Sequence, residues 1–536
     1  MPRRLRATQS RRGAAAVAFL VLSAGCSGSG PTTAVRRGAD EPPPGVLRVG
    51  IERPQSLDPA QARTPSELLV ADQLFDSLTT YDPETLTIQP ALAVRWQASS
   101  DQRRWDFTIR PGATFANFRV ITSADVKYSL DRIAKKGSSS PAAAQLDTVT
   151  GFRAVNVEGK SESLAGVTTP APDVVRIELD QPMSSLPAVL GHPTFGIVPQ
   201  ESVTAESPGF AVQPVGSGPF LLQSRADDLL HLVPAPGTPN LPLRAVDFYL
   251  EEDATAAYDS FLAGRLDWTS VPPDRVEQVA ERQGAAGAKP YLGELFYGFN
   301  LKNPKFADVR FRQAIVAAID REAIVRVVYG PSAKVLRGLI PEGVPGAQAD
   351  ACAERCARDP DRARALLAAA FPIGKPVPEV QIDFDDDGTQ RAVAQAIQAN
   401  LQEVGIPSAL RPHTYAEYLR FAISGQQELF RLGWIGASPT ADAFLTPLFQ
   451  SGLRDNITGF SSVPVDNTLK SGRAEADEAK RIGAYQAAEK QVLDQMPIVP
   501  LAQFQFQSIS SPRVSGLVVS GLGTFDATKV KVGAGR

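Results

Sequence analysis

The sequence predicts an α/β fold of several layers, and three observations support this prediction. Segments with strand and helix patterns alternate along the chain, and no internal repeat of short period is visible. The 536 residues exceed what one simple core holds, which indicates two or three lobes. Hydrophobic residues make up 43% of the chain, as in ordinary globular proteins.

Individual elements follow from hydrophobic periodicity. Apolar residues at positions i, i+3, i+4, i+7 and i+8, counted from Phe311, predict a helix with one buried stripe. Thr122 and Asp125 have the spacing of a capping box and predict the start of another helix. Strands are predicted at Trp105–Ile109, Val175–Leu179 and Val246–Leu250, and further helices at Asp361–Ala370 and Gln390–Val404.

The N-terminus predicts export. Five arginines precede an apolar run from Ala14 to Leu22, which is shorter than the roughly 20 residues that span a bilayer. This pattern is typical of a secretory signal peptide, here residues 1–25. The run ends in Leu22-Ser23-Ala24-Gly25-Cys26, which resembles the bacterial lipobox. The resemblance implies that Cys26 is lipidated and anchors the chain to the outer, extracellular or periplasmic face of the cytoplasmic membrane.

Two alternatives stay open at this end of the chain. Cys26 is a chance residue if the leader is an ordinary signal peptide, and export uses either the Sec or the twin-arginine route. Residues 26–44 are rich in Ser, Gly, Pro, Thr and charge, and predict a flexible tether. Without residues 1–25 the chain keeps 50 basic and 58 acidic residues, which argues against nucleic acid as a partner.

The remaining cysteines, Cys352 and Cys356, lie four residues apart. Outside the cell such a pair tends to oxidise, so we expect a local disulfide. No histidine lies nearby, which argues against a metal site. Asp383, Asp385 and Asp387 copy the opening of a calcium loop, but Ala394 stands where a bidentate Glu is required. We therefore expect neither a metal nor a cofactor.

Several short blocks of sequence carry information together. They are Ser56–Pro59, Leu74–Leu78, Pro90–Ala93, Trp105–Phe115, Thr122–Leu130, Gly216–Phe220, Phe306–Ala314, Ala318–Arg321, Gly433–Trp434 and Pro497–Leu501. These blocks resemble the extracellular solute-binding protein family 5, the dipeptide- and oligopeptide-binding proteins of ABC importers. Each block is weak alone, but together they occur in the family's order and cover nearly all of the chain after Cys26.

This resemblance implies a two-lobed periplasmic-binding-protein-like fold of type II, in the large cluster with an extra inserted subdomain. Lobe I is expected to comprise residues 45–84, 210–299 and 500–536. The inserted subdomain is expected at residues 85–209, and lobe II at residues 300–499. The ligand is expected to be enclosed where the two lobes meet.

The same resemblance implies a substrate-binding lipoprotein that captures peptides by lobe closure and delivers them to the membrane permease of an ABC importer. A monomer is expected. A peptide backbone can pair with a strand of the site like an added strand. The alternatives are a non-peptide solute, such as an oligosaccharide, haem or metal chelate, and a sensor without transport. An enzyme is unsupported, because the sequence has no Gly-x-Ser-x-Gly, His-Glu-x-x-His or phosphate-binding loop.

Five residues are candidates for contact with the ligand. Gly433 and Trp434 resemble the family's ligand-facing strand: the glycine admits a ligand backbone, and the indole offers a flat wall, unless Trp434 is a core residue. Arg431 is suited to a ligand carboxylate or to a surface ion pair. Trp268 is either a cleft or a core residue, and Glu67 corresponds weakly to an acid near the cleft.

One departure from the family's pattern concerns the acid that pairs with the α-ammonium of a peptide. In the family it follows Gly-Trp in a Gly-Trp-x-x-Asp-Tyr run, but here Ala437 and Ser438 occupy those two positions. Asp442 is a candidate substitute in the site, although we favour a role as the N-cap of the helix that follows it.

Overall fold

The computed structural model describes residues 43–203, 209–238, 240–283 and 287–534. The predicted signal peptide, the lipidation site Cys26 and the tether up to residue 42 lie outside the described residues. Within the described ranges, no helix has both the length and the apolar character needed to cross a membrane.

The strands of the described residues are, in chain order, β1 Val46–Glu52, β2 Thr79–Tyr81, β3 Ile88–Pro90, β4 Ala93–Ala98, β5 Arg104–Ile109, β6 Val167–Ala171, β7 Val174–Glu178, β8 Phe220–Arg225, β9 Leu229–Pro234, β10 Ala245–Glu251, β11 Trp268–Ser270, β12 Ala288–Phe299, β13 Ala333–Val335, β14 Val380–Asp385, β15 Ser408–His413, β16 Leu429–Ile435, β17 Ile498–Ser510, β18 Val514–Ser515 and β19 Lys531–Val532.

The helices are α1 Pro65–Leu74, α2 Ser123–Ala134, α3 Leu186–Val189, α4 Ala254–Leu262, α5 Val276–Gln283, α6 Val309–Ala318, α7 Arg321–Ile324, α8 Pro360–Ala370, α9 Gly388–Glu403, α10 Tyr415–Phe421, α11 Asp442–Phe449, α12 Val463–Ala474 and α13 Glu478–Gln495. The alternation of strands and helices confirms the predicted α/β class.

One large sheet runs through both lobes, in the order β15-β14-β16-β12-β17-β11-β1-β10-β9-β8, and β13 pairs with β17. In lobe I, β1 is parallel to β10 and β11. In lobe II, β14 is parallel to β15 and β16. The two long strands β12 and β17 pair with each other and with strands of both lobes, so they are the covalent connection between them.

A second sheet, β4-β5-β7-β6, forms the inserted subdomain together with α2. Thr122 and Asp125 form the predicted capping box at the start of α2: the backbone N–H of Thr122 donates to the Asp125 carboxylate over 2.8 Å. The alternating residues of β5, from Trp105 to Ile109, point into the core of this subdomain.

Lobe II has the largest core, which packs α6, α8, α9, α11 and α13 against the sheet. The stripe predicted from Phe311 onward is fully buried on α6. Leu292 and Phe299 of β12 also belong to this core. The predicted residue bounds of the lobes stay predictions.

The two glycines of the Gly216–Phe220 block lie against the C-terminal end of α1. A Cβ at Gly216 would overlap the carbonyl oxygen of Leu74, and one at Gly218 would lie 2.6 Å from the Leu74 carbonyl carbon. The Gly218 N–H donates to that oxygen over 2.9 Å. Only glycine permits this contact between the loop and α1.

Candidate ligand-binding site

The site follows from the directions of the strands. Along β11, residues 268 to 270 lie opposite residues 510 to 508 of β17, so β11 and its parallel neighbours β1 and β10 run toward lobe II. Along β16, residues 429 to 435 lie opposite residues 299 to 293 of β12, so β14, β15 and β16 run toward lobe I. The carboxyl ends of both parallel sets therefore converge, which is where α/β proteins bind ligands.

The connection between the lobes is irregular at this point. The pairing of β12 with β17 shifts register between Pro290 and Glu294, and again between Leu295 and Phe296. Gln503 of β17 bridges the irregular segment by donating to the carbonyl oxygens of Tyr291, over 3.1 Å, and Glu342, over 2.8 Å. Register shifts bend a strand pair, so this segment is the hinge between the lobes.

The end of β16 has a strand on one side only. Pairing with β14 stops at Asp383 opposite Phe430, whereas pairing with β12 continues to Gly293 opposite Ile435. The Gly436 N–H donates to Leu292 of β12, over 2.9 Å. Because backbone groups alternate in direction along a strand, those of Arg431, Gly433 and Ile435 point away from β12. In agreement, the carbonyl oxygen of Arg431 accepts from the Tyr418 hydroxyl of α10. We call Gly433 to Ile435 the free edge.

Gly433 leaves this edge open. It is exposed, and a Cβ placed on it would have the Glu294 carbonyl oxygen at 3.6 Å and the Arg431 Nη2 at 3.9 Å as its nearest contacts. Ile435 is 60% exposed on the same side of the strand. A ligand backbone therefore has room to approach, with the guanidinium of Arg431 beside it.

Part of the Arg431 guanidinium forms an ion pair inside lobe II. Its Nη1 lies 3.3 Å from the Oδ1 of Asp385 at the carboxyl end of β14, and the side chain is 21% exposed. Its Nε is buried and has no hydrogen-bond partner among the described residues. The Nε is thus enclosed by protein, and the Nη2 is the atom of the guanidinium that borders the open space at Gly433.

A polar interior lies behind Arg431. The Tyr297 hydroxyl is buried without a hydrogen-bond partner among the described residues, and burial raises the pKa of Tyr297. The Tyr418 hydroxyl, which donates to the Arg431 carbonyl oxygen, also lies 3.3 Å from the carbonyl oxygen of Asp383. The Asp383 carboxylate accepts from Arg411 and from the Glu428 N–H, while burial raises its pKa. Sequence reasoning missed the pairing of Asp385 with Arg431 and the contact of Tyr418, because neither has a local signal.

The aspartates that copy a calcium loop have other roles. Asp383 and Asp385 pair with arginines, and Asp387 accepts from the Gln390 N–H over 2.7 Å at the start of α9. The described part of the chain holds no group of three or more potential His, Cys, Asp or Glu ligands for a metal.

Trp434 is tied to lobe II. Its Nε1 donates to the Ala443 carbonyl oxygen of α11 over 2.8 Å, and the half-buried indole packs on the lobe II core. Its side chain lies on the face of β16 opposite to those of Arg431 and Gly433. Contact of this indole with a ligand stays a prediction.

Trp268 belongs to the core of lobe I. It is only 2% exposed, its ring stacks on Phe506 at 6.4 Å and it meets Phe525 edge-on at 5.2 Å. Of the two roles considered from the sequence, the geometry favours packing.

Glu67 organises the loop before α1. Its carboxylate accepts from the backbone N–H groups of Gln55, Arg63 and Thr64, at 3.1, 2.8 and 3.1 Å, and Thr64 completes a capping box with it. Glu67 is 6% exposed, so both carboxylate oxygens serve the loop rather than an open cleft.

Asp442 does not cap α11, and that expectation is wrong. The helix begins at Asp442 itself, and Ala441 occupies the N-cap position. The Asp442 carboxylate instead accepts from the Thr446 hydroxyl over 2.6 Å and lies 3.5 Å from Arg473 Nε. It is 6% exposed, and its charge is already paired inside the protein.

A cavity of about 840 Å³ lies beside the hinge, between β13 and residues 340–349. Its volume suits a small ligand. Its lining comes from lobe II apart from Thr85 and the hinge residue Gln503, and includes none of the carboxyl ends of β14 to β16. Four of the charged side chains in its wall form two ion pairs, Lys334–Glu342 and Arg337–Glu322, so their charges compensate each other. We therefore take the strand ends, rather than this cavity, as the candidate ligand-binding site.

A disulfide joins Cys352 and Cys356, whose Cα atoms are 5.5 Å apart, near this cavity. Arg321 holds the loop in place by donating to the carbonyl oxygens of Cys356, Leu336 and Pro500, at 3.1, 2.8 and 3.0 Å. Burial lowers the pKa of Arg321 to about 10. The disulfide loop is thus connected to β17 through one buried guanidinium.

Two lobes, a hinge of two strands and strand ends that converge define a solute-binding protein of the periplasmic type. A family model supports this conclusion: residues 87–456 match the bacterial extracellular solute-binding proteins, family 5. The chain belongs to this family, which is related to the peptide-binding proteins of ABC importers.

Among known relatives, the periplasmic murein peptide-binding protein MppA of Escherichia coli is 27% identical over 494 residues, which are 88% of this chain and 89% of MppA. The unliganded open form of MppA has a TM-score of 0.82 at 25% identity, over 92% of this chain and 98% of that structure. Another structure of E. coli MppA has a TM-score of 0.69 at 25% identity, over 92% and 99% of the two chains. The structure is thus more similar to the unliganded open form than to the second MppA structure.

Proposed function

We propose that this chain is the substrate-binding lipoprotein of an ABC importer, that it captures peptides outside the cell by closing its lobes, and that it passes them unaltered to the membrane permease. The free edge of β16 carries this proposal. It offers the backbone groups of Gly433 and Ile435 at the place where the carboxyl ends of both lobes converge. A peptide backbone supplies the matching donors and acceptors along its whole length.

Closure supplies the remaining contacts. The likeness to an unliganded open form supports an open resting state, and the irregular pairing of β12 with β17 supports bending there. When lobe I approaches lobe II, the ligand is removed from water and its hydrogen bonds strengthen. Side chains of the peptide on either side of the edge need no fixed partner, so many sequences are accepted.

Arg431 supplies the charge that orients the ligand. Its Nε is buried without a hydrogen-bond partner among the described residues, and its Nη2 lies next to the open space at Gly433. A carboxylate at the end of a peptide can accept a hydrogen bond from Nη2, and a charge-assisted hydrogen bond of this kind is stronger than a neutral one.

The test is to purify the protein from its host without denaturation and to identify any retained molecule by mass spectrometry. A mixture of peptides supports peptide capture. A single non-peptide solute would contradict it, and conversion of an added peptide into products would indicate an enzyme. Loss of peptide uptake on deletion of the permease would distinguish an importer from a sensor.

A further inference from the structure

The pairing of β14 with β16 ends at a single buried hydroxyl. Asp383 of β14 lies opposite Phe430 of β16, and no further pair of these two strands follows. The hydroxyl of Tyr418 lies at this point, where it donates to the carbonyl oxygen of Arg431 and is 3.3 Å from the carbonyl oxygen of Asp383. Tyr418 thus occupies the place where the next hydrogen bond between the two strands would form.

The helix α10 fixes the position of this hydroxyl. It starts with a capping box, in which the N–H and the hydroxyl of Thr414 donate to the Glu417 carboxylate over 3.2 and 2.7 Å. After its last turn, the Phe421 ring stacks on His413 of β15 at 4.2 Å. Tyr418 lies between these two attachments and is only 2% exposed. Burial raises the pKa of Tyr418, so the hydroxyl keeps the proton that it donates.

The contact gives the free edge a fixed starting point. The backbone groups of Arg431, Gly433 and Ile435 all point away from β12. Of these groups, the carbonyl oxygen of Arg431 already has a donor in Tyr418. The last residues of a strand fray when nothing holds them, because their local unfolding costs little free energy. Here a hydrogen bond to α10 lies two residues before Gly433.

Order at the free edge affects the affinity for a ligand strand. A backbone segment that is mobile before binding has to be ordered when the ligand pairs with it, and the lost conformational entropy weakens binding. An edge that is already extended in the free protein avoids this loss. A residue that holds the edge therefore affects binding without contact to the ligand.

Building on the proposed function, we propose that Tyr418 is a positioning residue for the peptide, because it ends the pairing of β14 with β16 and keeps the backbone groups of Gly433 and Ile435 aligned for a ligand strand. Tyr418 is buried, so it acts through the carbonyl oxygen of Arg431 and not through the ligand. The register of the peptide on β16 then starts at Gly433 and is set by α10.

The test combines Tyr418→Phe with changes in the backbone of the ligand. The protein is stripped of bound solutes and incubated with a random tripeptide pool, and the retained peptides are identified by mass spectrometry. The best retained tripeptide is then N-methylated at each of its peptide bonds in turn, which removes one N–H donor at a time. Calorimetry gives the Kd of each peptide for the parent protein and for Tyr418→Phe.

The two changes should depend on each other. For the parent protein, methylation of the N–H that donates to the free edge should weaken binding by about tenfold. Tyr418→Phe should weaken binding of the unmethylated peptide by about fivefold. The same variant should change the Kd of that methylated peptide by less than about twofold, because this peptide no longer uses the edge, whereas a general structural defect would weaken both peptides by the same factor.

Tyr128→Phe is the matched control. The Tyr128 hydroxyl on α2 also donates to a backbone carbonyl oxygen, that of Val203, over 3.3 Å. This variant should leave the Kd of every peptide unchanged, and thermal unfolding shows that both variants are folded.

The remaining results separate this inference from the proposed function. If Tyr418→Phe leaves the Kd of the unmethylated peptide unchanged, or weakens the methylated and unmethylated peptides equally, the positioning role is wrong while peptide capture stands. If no tripeptide is retained, peptide capture itself fails. If tripeptides are retained but no methylation weakens their binding to the parent protein, the ligand does not pair with the free edge, and the inference fails with it.

Discussion

Gly433→Val tests the free edge most sharply. The glycine is exposed, and a Cβ there would meet its nearest atom, the Glu294 carbonyl oxygen, at 3.6 Å, an ordinary contact. Valine also suits a strand. The fold should therefore tolerate the change, while the isopropyl group fills the space that a ligand backbone needs.

The magnitude follows from the hydrogen bonds that are lost. The N–H and C=O of Gly433 both face the free edge, and a typical hydrogen bond contributes about 0.5–1.5 kcal/mol. Loss of both weakens binding by about 1–3 kcal/mol, or roughly fivefold to 150-fold in Kd. Isothermal titration calorimetry with a retained peptide measures this change, and thermal unfolding checks the fold.

Gly483→Ala is the control. Gly483 lies on α13 and also has open space at its Cβ position, so the variant adds a side chain to lobe II away from the site. Its Kd should equal that of the parent protein. If Gly433→Val keeps the melting temperature of the parent protein and its Kd changes by less than twofold, the ligand does not run along β16.

Three further predictions concern stability and anchoring. Asp267 is fully buried and pairs with Arg48 at 2.9 Å and Arg513 at 3.0 Å. Asp267→Ala should therefore lower the free energy of unfolding, measured by urea titration, by about 3–5 kcal/mol. A loss under about 1 kcal/mol would contradict this. Burial lowers the pKa of His192 to about 4, below the unfolded value of about 6.5, so the unfolded chain takes up the proton first. Stability should fall by up to about 3 kcal/mol between pH 6.5 and pH 4, and His192→Gln, compared with the parent at each pH, should lack this loss; parallel pH profiles would refute it. Cys26→Ser should move the protein from the membrane to the soluble fraction, and continued membrane retention would refute lipidation.

Local patterns in the sequence were sufficient for many elements. The alternation at Trp105–Ile109 corresponds to β5, and the helices predicted at Asp361–Ala370 and Gln390–Val404 are α8 and α9, within two residues at each end. Capping and periodicity act over a few residues, so a single chain displays them. The capping of α11 was misassigned because Asp442 and Ala441 differ by one position, and an internal ion pair with Arg473 was invisible.

The site depends on contacts between distant segments. β12 and β17 are separated by about two hundred residues, and Asp385 of β14 reaches Arg431 of the neighbouring strand β16. Gly433 was recognised through family resemblance, but its free edge exists only because β14 stops pairing at Asp383. Glu67 has the charge expected of a ligand contact, but its carboxylate accepts three backbone hydrogen bonds instead. The donors lie in the loop before α1 and at the N-cap of α1. Composition and periodicity carry no information on such pairings.

Small-angle X-ray scattering with and without a saturating peptide tests the central claim most directly, because lobe closure changes the overall dimensions of the protein. The radius of gyration should decrease beyond experimental error when the peptide binds, and return when it is removed by dialysis. An unchanged radius at confirmed saturation would contradict capture by closure of the two lobes.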